Sequence, residues 1–226
     1  MRILNQNFKI SKPKFIIFDW DNTLVDSLEL IRDSMQDTFA KFNLPPISKK
    51  EFTDHMRMCS KSFIEKYFAK DSYDEVRKVF RDTYEQLARE KITLLPKAAE
   101  ALEKIREENI KMAIVSNKSR ILLSMELIKL GLEEYFSSVV GSGDLEEDKP
   151  SPLPVLKALK DIGAEPSYEV WFIGDTATDM AAAHNSKCLP VFFGTDDYTS
   201  EHYRHCQPEV HFLNHEELIK YLTSLD

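Results

Sequence analysis

Residues 18–27 read FDWDNTLVDS, and the apolar run Phe15-Ile16-Ile17-Phe18 leads straight into them. A short continuous apolar run bounded by polar residues describes a strand buried on both faces, as in a covered parallel sheet. The strand expected over 14–19 then ends on two carboxylates, Asp19 and Asp21, two residues apart. Like charges so close repel, and each is better solvated by water than by its neighbour. A chain that places both at a strand tip needs something to compensate them.

Beyond Asp26 the apolar spacing changes. Leu28, Ile31, Met35, Phe39 and Phe42 recur every three or four residues, the stripe of an amphipathic helix, and LPP at 44–46 stops it. Ser48-Lys-Lys-Glu51 has the form of a capping box and opens a second helix. A third is expected over 61–69, and a fourth over 73–90 with Val76, Phe80, Thr83 and Leu87 on one face. From Pro96 helices and apolar strands alternate: strands at 111–117, 137–141, 169–175, 189–194 and 209–213, helices between them, and a last helix to the end. That alternation specifies an α/β fold, a Rossmann-like parallel sheet core covered on both faces and interrupted by an all-helical insert. The expected division is a core of residues 1–26 and 96–226 and a helical cap of 27–95.

Composition restricts the partners. The chain has 226 residues, 30% of them charged, and a net charge of −8, which argues against nucleic acid or an anionic membrane surface. Residues 28–95 balance at +1 and the remainder at −9, so an anionic small molecule meets less repulsion in the helical segment. No apolar run reaches the roughly 20 residues that span a bilayer, and the first residues lack the pattern of a secretory leader. Cys59, Cys188 and Cys206 are sparse and without metal-type spacing, which fits a reducing cytoplasm. His202, His205 and Cys206 lack the paired elements of a zinc site and read as surface histidines. Monomer and homodimer both stay open.

In open parallel sheets ligands bind beyond the carboxyl ends of the strands, so chemistry is sought there. Asp19-Trp-Asp21-Asn22, Ser116-Asn117, Lys149, and Asp175 with Asp179 all follow expected strands. Taken singly, each has an ordinary use: a solvated turn, a helix cap, a loop lysine, or carboxylates at a helix N-terminus. Taken together, they place hydroxyl, amide, ammonium and four carboxylates at one end of one sheet.

The set resembles the four motifs of the haloacid dehalogenase superfamily, in its phosphatase branch, with DWDNTLVDS, IVSN, KPSP and GDTATD in the family's order and a cap-sized insert after the first. The phosphoglycolate-phosphatase-like group is the nearest match. The resemblance implies a Mg²⁺-dependent phosphatase. Asp19 would be the nucleophile, ionised at neutral pH without a helper, and Asp21 the general acid and then base. Asp19, the carbonyl of Asp21, Asp175 and Asp179 would hold the metal. Ser116, Lys149 and backbone N–H groups near Asn22 and Asn117 would hold the phosphoryl oxygens. Arg57 and Lys61 of the cap are candidates for a substrate carboxylate, against the plainer reading of two solvated cations. Asn22 stands where the family usually has Gly, in a turn needing left-handed backbone, and Lys97 stands where Gly often follows Pro. The implied partner is a small phosphorylated metabolite. A phosphosugar mutase of the β-phosphoglucomutase type shares these acids, and a phospho-acceptor signalling domain shares the acidic pocket but not Asp21 or the insert.

Overall fold

The computed structural model describes residues 2–3, 11–56, 60–69 and 72–224; the side chains of 3, 53–56 and 60–63 lie outside that description. The chain divides into two compact units, one of Met1–Asp26 with Thr93–Asp226 and one of Ser27–Ile92.

The first unit is built on a seven-stranded sheet: β1 (Arg2–Ile3), β2 (Phe15–Phe18), β3 (Lys111–Ser119), β4 (Phe136–Ser142), β5 (Val170–Gly174), β6 (Leu189–Phe193) and β7 (Val210–Phe212), in the order β1-β7-β6-β5-β2-β3-β4. Six strands are mutually parallel and match those expected from the apolar runs. The two-residue β1 was not expected; it adds an antiparallel edge through Arg2 opposite His211. So short a segment carries no alternation to read.

The register pairs Ile17 with Ala113 and Phe172, and Ile16 with Met112 and Trp171. Strand alternation sends these two rows to opposite faces. On one face Ile17, Ala113, Val115 and Phe172 meet the buried stripes of α7 (Leu153–Ile162) and α8 (Ala177–Asn185), namely Val155, Ala158, Leu159, Ile162, Ala182 and Ala183. On the other, Trp171 packs against Phe212 and Tyr221, the latter on α9 (His215–Thr223), and α9 in turn packs on α5 (Ala98–Glu107). α6 (Arg120–Leu130) follows β3 and packs on β3 and β4. The residues joining this unit to the helical one run side by side: Asp26 N–H donates to Thr93 O at 2.9 Å and Leu95 N–H to Leu24 O at 2.9 Å. Thr93–Leu95 therefore fold with the sheet, three residues earlier than the expected boundary.

The second unit comprises α1 (Leu28–Lys41), α2 (Lys49–Met56), α3 (Ser60–Tyr67) and α4 (Tyr73–Lys91). Met35, Phe39, Ile47, Phe52, Ile64, Phe68 and Val76 form its core. Phe39 and Phe68 meet edge to face at 5.2 Å, and Phe42 meets Phe68 likewise at 5.3 Å, geometries that add to area burial. Ser48 and Glu51 do form the reciprocal cap, Ser48 N–H donating to Glu51 Oε2 at 2.9 Å and Glu51 N–H to Ser48 Oγ at 3.2 Å. No helix among the described residues is long and apolar enough to cross a membrane.

Lys97 caps α5 with left-handed backbone, φ +66°, and its side chain makes no capping bond. A residue with a Cβ pays steric strain there of about 1–2 kcal/mol, only partly offset in a comparison with glycine by glycine's freer unfolded chain. Lys97→Gly should therefore stabilise the protein by about 0.5–1 kcal/mol, read as a higher urea midpoint at unchanged slope. A lower midpoint would mean that the exposed contact of Lys97 with Glu100 outweighs the strain.

Candidate active site

β2 lies between β3 and β5, because the chain runs outward through β3 and β4 and then returns to the far side of β2. Such a reversal opens a crevice at the carboxyl ends of the strands. Asp19 is the first residue past β2, pinned by its N–H to the carbonyl of Ile173 at 2.9 Å. Its carboxylate Oδ1 accepts from Lys149 Nζ at 2.6 Å, and the same ammonium donates to Asp179 Oδ1 at 2.7 Å. All three are buried, with Lys149 6% exposed. The lysine rests over the ring of Phe172, its nitrogen 5.5 Å from the centroid. Sequence reasoning gave Asn117 only a backbone role. Its side chain clamps the Lys149 peptide from both sides, Nδ2 donating to the carbonyl at 3.0 Å and Oδ1 accepting the N–H at 2.9 Å.

Asp179 is held as firmly. Thr176 caps α8 in a capping box: Asp179 Oδ2 accepts from the Thr176 N–H at 3.0 Å and hydroxyl at 2.5 Å. The helix-capping use and the site use are thus the same carboxylate, one oxygen for each. A Cβ on Gly174 would lie 2.4 Å from the Asp179 Cβ and Cγ, so the glycine is what lets this carboxylate lie against β5. Asp175 precedes the cap, and one oxygen from each of Asp19, Asp175 and Asp179 falls within 4.8 Å of the others.

Three carboxylates here share one ammonium. Burial pushes Asp19 up to about 7, Asp179 and Asp21 add repulsion, and Lys149 pulls the other way. Asp175 is raised well above the usual range, by burial first and then by Asp19 and Asp179. Burial also works against the Lys149 ammonium, but Asp179 and Asp19 outweigh it and hold the lysine charged. Burial therefore works against the expected ionisation of Asp19 at neutral pH without a helper. Added positive charge would restore it, and the donors fit a hard divalent cation such as Mg²⁺, all of them being carboxylate oxygens.

Asn22 has φ +55°, the left-handed turn that sequence required of it. Its own N–H donates to Val25 O at 2.9 Å, closing the turn. Ser116 is buried at the end of β3, its Oγ accepting the Lys118 N–H at 3.2 Å while its own proton is left to donate. The cap of α6 is Ser119, which accepts from Leu122 N–H, so Ser116 and Asn117 are not helix caps.

Lys118 was missed by sequence reasoning. Its ammonium donates to Asp21 Oδ1 at 2.7 Å and to both oxygens of Glu126 at 2.9 Å. Trp20 is fully buried, and its indole N–H donates to Glu126 Oε2 at 2.6 Å. The legible signal was Glu126 itself, a lone acid on the buried face Leu122-Leu123-Glu126-Leu127 of α6. Arg57 lies outside the described residues; Lys61 lies in α3, its side chain outside the description. His202 and His205 are exposed, while Cys206 is buried with Met180, Phe192 and Tyr203.

Comparison with known proteins agrees with the geometry. The family model described as haloacid dehalogenase-like hydrolase matches residues 16–192. A phosphoglycolate phosphatase of Aquifex aeolicus is 32% identical over 75% of this chain and 79% of its own length. Pyrophosphatase PpaX of Oceanobacillus iheyensis is 28% identical over 76% and 78%. The crystal structure of a HAD-superfamily hydrolase from Ehrlichia chaffeensis superposes with a TM-score of 0.66 at 32% identity, covering 96% of this chain and 99% of that one. With the motifs, the sheet and the paired acids in place, the chain belongs to the haloacid dehalogenase-like hydrolases.

Proposed function

We propose that the protein is a Mg²⁺-dependent phosphatase that hydrolyses a small phosphomonoester through an aspartyl-phosphate on Asp19. The observation that carries this reading is the triad Asp19–Lys149–Asp179 with Asp175 beside it, at the tip of a strand whose next acid, Asp21, stands two residues on. A carboxylate oxygen of Asp19 attacks phosphorus, forming the acyl-phosphate bond as the bond to the ester oxygen breaks. Asp21 gives its proton to the departing alkoxide and later takes one from the water that hydrolyses the acyl-phosphate. Proton transfer of this kind contributes about 10²- to 10⁴-fold. Lys149, the hydroxyl of Ser116 and the backbone N–H of Asn117 hold the transferring oxygens, which is positioning and charge stabilisation, the main work in phosphoryl transfer. Asp19, the Asp21 carbonyl, Asp175 and Asp179 would hold Mg²⁺, which when bound supplies positive charge to the ionised nucleophile and to the phosphate. The substrate class proposed is a carboxylated ester such as 2-phosphoglycolate, with Arg57 and Lys61 reading its carboxylate, a pairing that suits a bidentate guanidinium.

A screen of phosphorylated metabolites with and without EDTA tests this. Phosphate should be released stoichiometrically in Mg²⁺, and rate should fall at least about 10³-fold with EDTA or in Asp19→Asn, as expected for loss of a nucleophile. Arg57→Ala should raise KM for 2-phosphoglycolate well above any change with p-nitrophenyl phosphate. Activity that survives EDTA or Asp19→Asn contradicts the mechanism, and equal KM effects on the two esters remove Arg57 from recognition.

The raised Asp19 has a second consequence. A carboxyl whose folded value lies near 7 instead of 3.8 favours folding at low pH, and that contribution is lost as pH rises between the two. Mg²⁺ has to displace this proton below about pH 7, so its apparent affinity should weaken there by up to about tenfold per pH unit. Excess Mg²⁺ should accordingly raise Tm more at about pH 8 than at about pH 5. Equal shifts at both pH values would show that Asp19 does not bind the cation.

A further inference from the structure

Glu126 poses a problem that the reaction above does not answer. It is completely buried on a helix face otherwise made of leucines. A buried carboxylate is expensive unless paired, and well-packed apolar residues in place of a buried ion pair are often as stable or more so. Stability alone therefore does not account for an acid at 126 and a lysine at 118.

Their geometry does. Both oxygens of Glu126 grip the Lys118 ammonium, the head of a side chain with four rotatable bonds. The gripped ammonium donates to Asp21 Oδ1, and its side chain is only 6% exposed, against 22% for Asp21. One oxygen of Glu126 also takes the indole of Trp20, the residue between Asp19 and Asp21. A single buried carboxylate thus locates Asp21 twice, through the adjoining residue of its backbone and through a donor on its side chain. We propose that Glu126 and Lys118 are positioning residues, a buried clamp anchored by Trp20 that aims the Asp21 carboxyl at the leaving oxygen. The inference rests on the phosphatase reading, in which Asp21 protonates that oxygen.

The test uses two esters and kcat/KM, which reports only steps up to departure of the leaving group. An alkyl ester, glycerol phosphate, must have its alkoxide protonated; p-nitrophenyl phosphate releases a stable phenolate and needs little help. Lys118→Met/Glu126→Leu removes both charges of the buried pair together, so that neither Lys118 nor Glu126 is left as a buried ion without its partner. Glu126→Gln keeps the shape and an acceptor for Trp20, and serves if the double variant does not fold. In either variant kcat/KM for the alkyl ester should fall by about 10- to 100-fold, the scale of a misaimed catalytic group, and for p-nitrophenyl phosphate by less than about threefold. Asp21→Asn should show the same split, larger. A parallel fall on both esters, or no fall on either, overturns the inference. If Asp21→Asn splits the two esters and the clamp variants do not, the clamp fails and the phosphatase reading stands. If the wild-type protein hydrolyses neither these two esters nor 2-phosphoglycolate, both fail.

Discussion

An ammonium buried on an aromatic ring loses its charge unless carboxylates hold it, and carboxylates buried beside one another take up protons unless a cation separates them. Lys149, set between Asp19 and Asp179 at 2.6 and 2.7 Å, meets the first need fully and the second in part. Much local structure serves that arrangement. Asn117 fixes the peptide that carries the lysine, Thr176 fixes the second oxygen of Asp179, and Gly174 gives way where a side chain would collide with it. The three charged residues come from three separate segments, so the triad forms only when β2, β5 and the loop after β4 are assembled. A buried pair broken by loss of one partner is strongly destabilising, which makes the same contacts a constraint on the fold as well as on the chemistry.

The triad is also incomplete. With Asp175 close by, negative charge exceeds positive; burial raises Asp19 and Asp175 first, and their neighbouring carboxylates add to it. Under the proposed function that excess is what recruits a divalent cation, and the cation in turn ionises the nucleophile. On the other side of Asp19, the Lys118–Glu126 clamp separates the environment of Asp21 from that of its neighbour. Two acids two residues apart then meet different surroundings, which under the proposed function suits one to attack phosphorus and the other to move a proton.

Much of this was legible in the sequence. Continuous apolar runs set the six parallel strands, since burial on both faces leaves no alternation, and the 3.6-residue stripe from Leu28 to Phe42 announced the helical unit. Asp19, Asp175, Asp179 and Lys149 were legible because strand ends converge in such a sheet. Long-range side-chain partners were not. Nothing local in Asn117 points to a peptide 32 residues away, and Lys118 looks like a loop lysine until Glu126 is folded beneath it. β1 is too short to carry a pattern. The burial that raises Asp19 was not legible either, because it belongs to the assembled sheet.

Under the proposed function the unbalanced carboxylates form a cation site. Crystals grown with Mn²⁺ in place of Mg²⁺ and examined by anomalous diffraction test it directly. One strong peak per chain is expected, bound by Asp19 and Asp175 and absent from Asp175→Asn. A pocket without a peak, or a peak that survives that substitution, would contradict it.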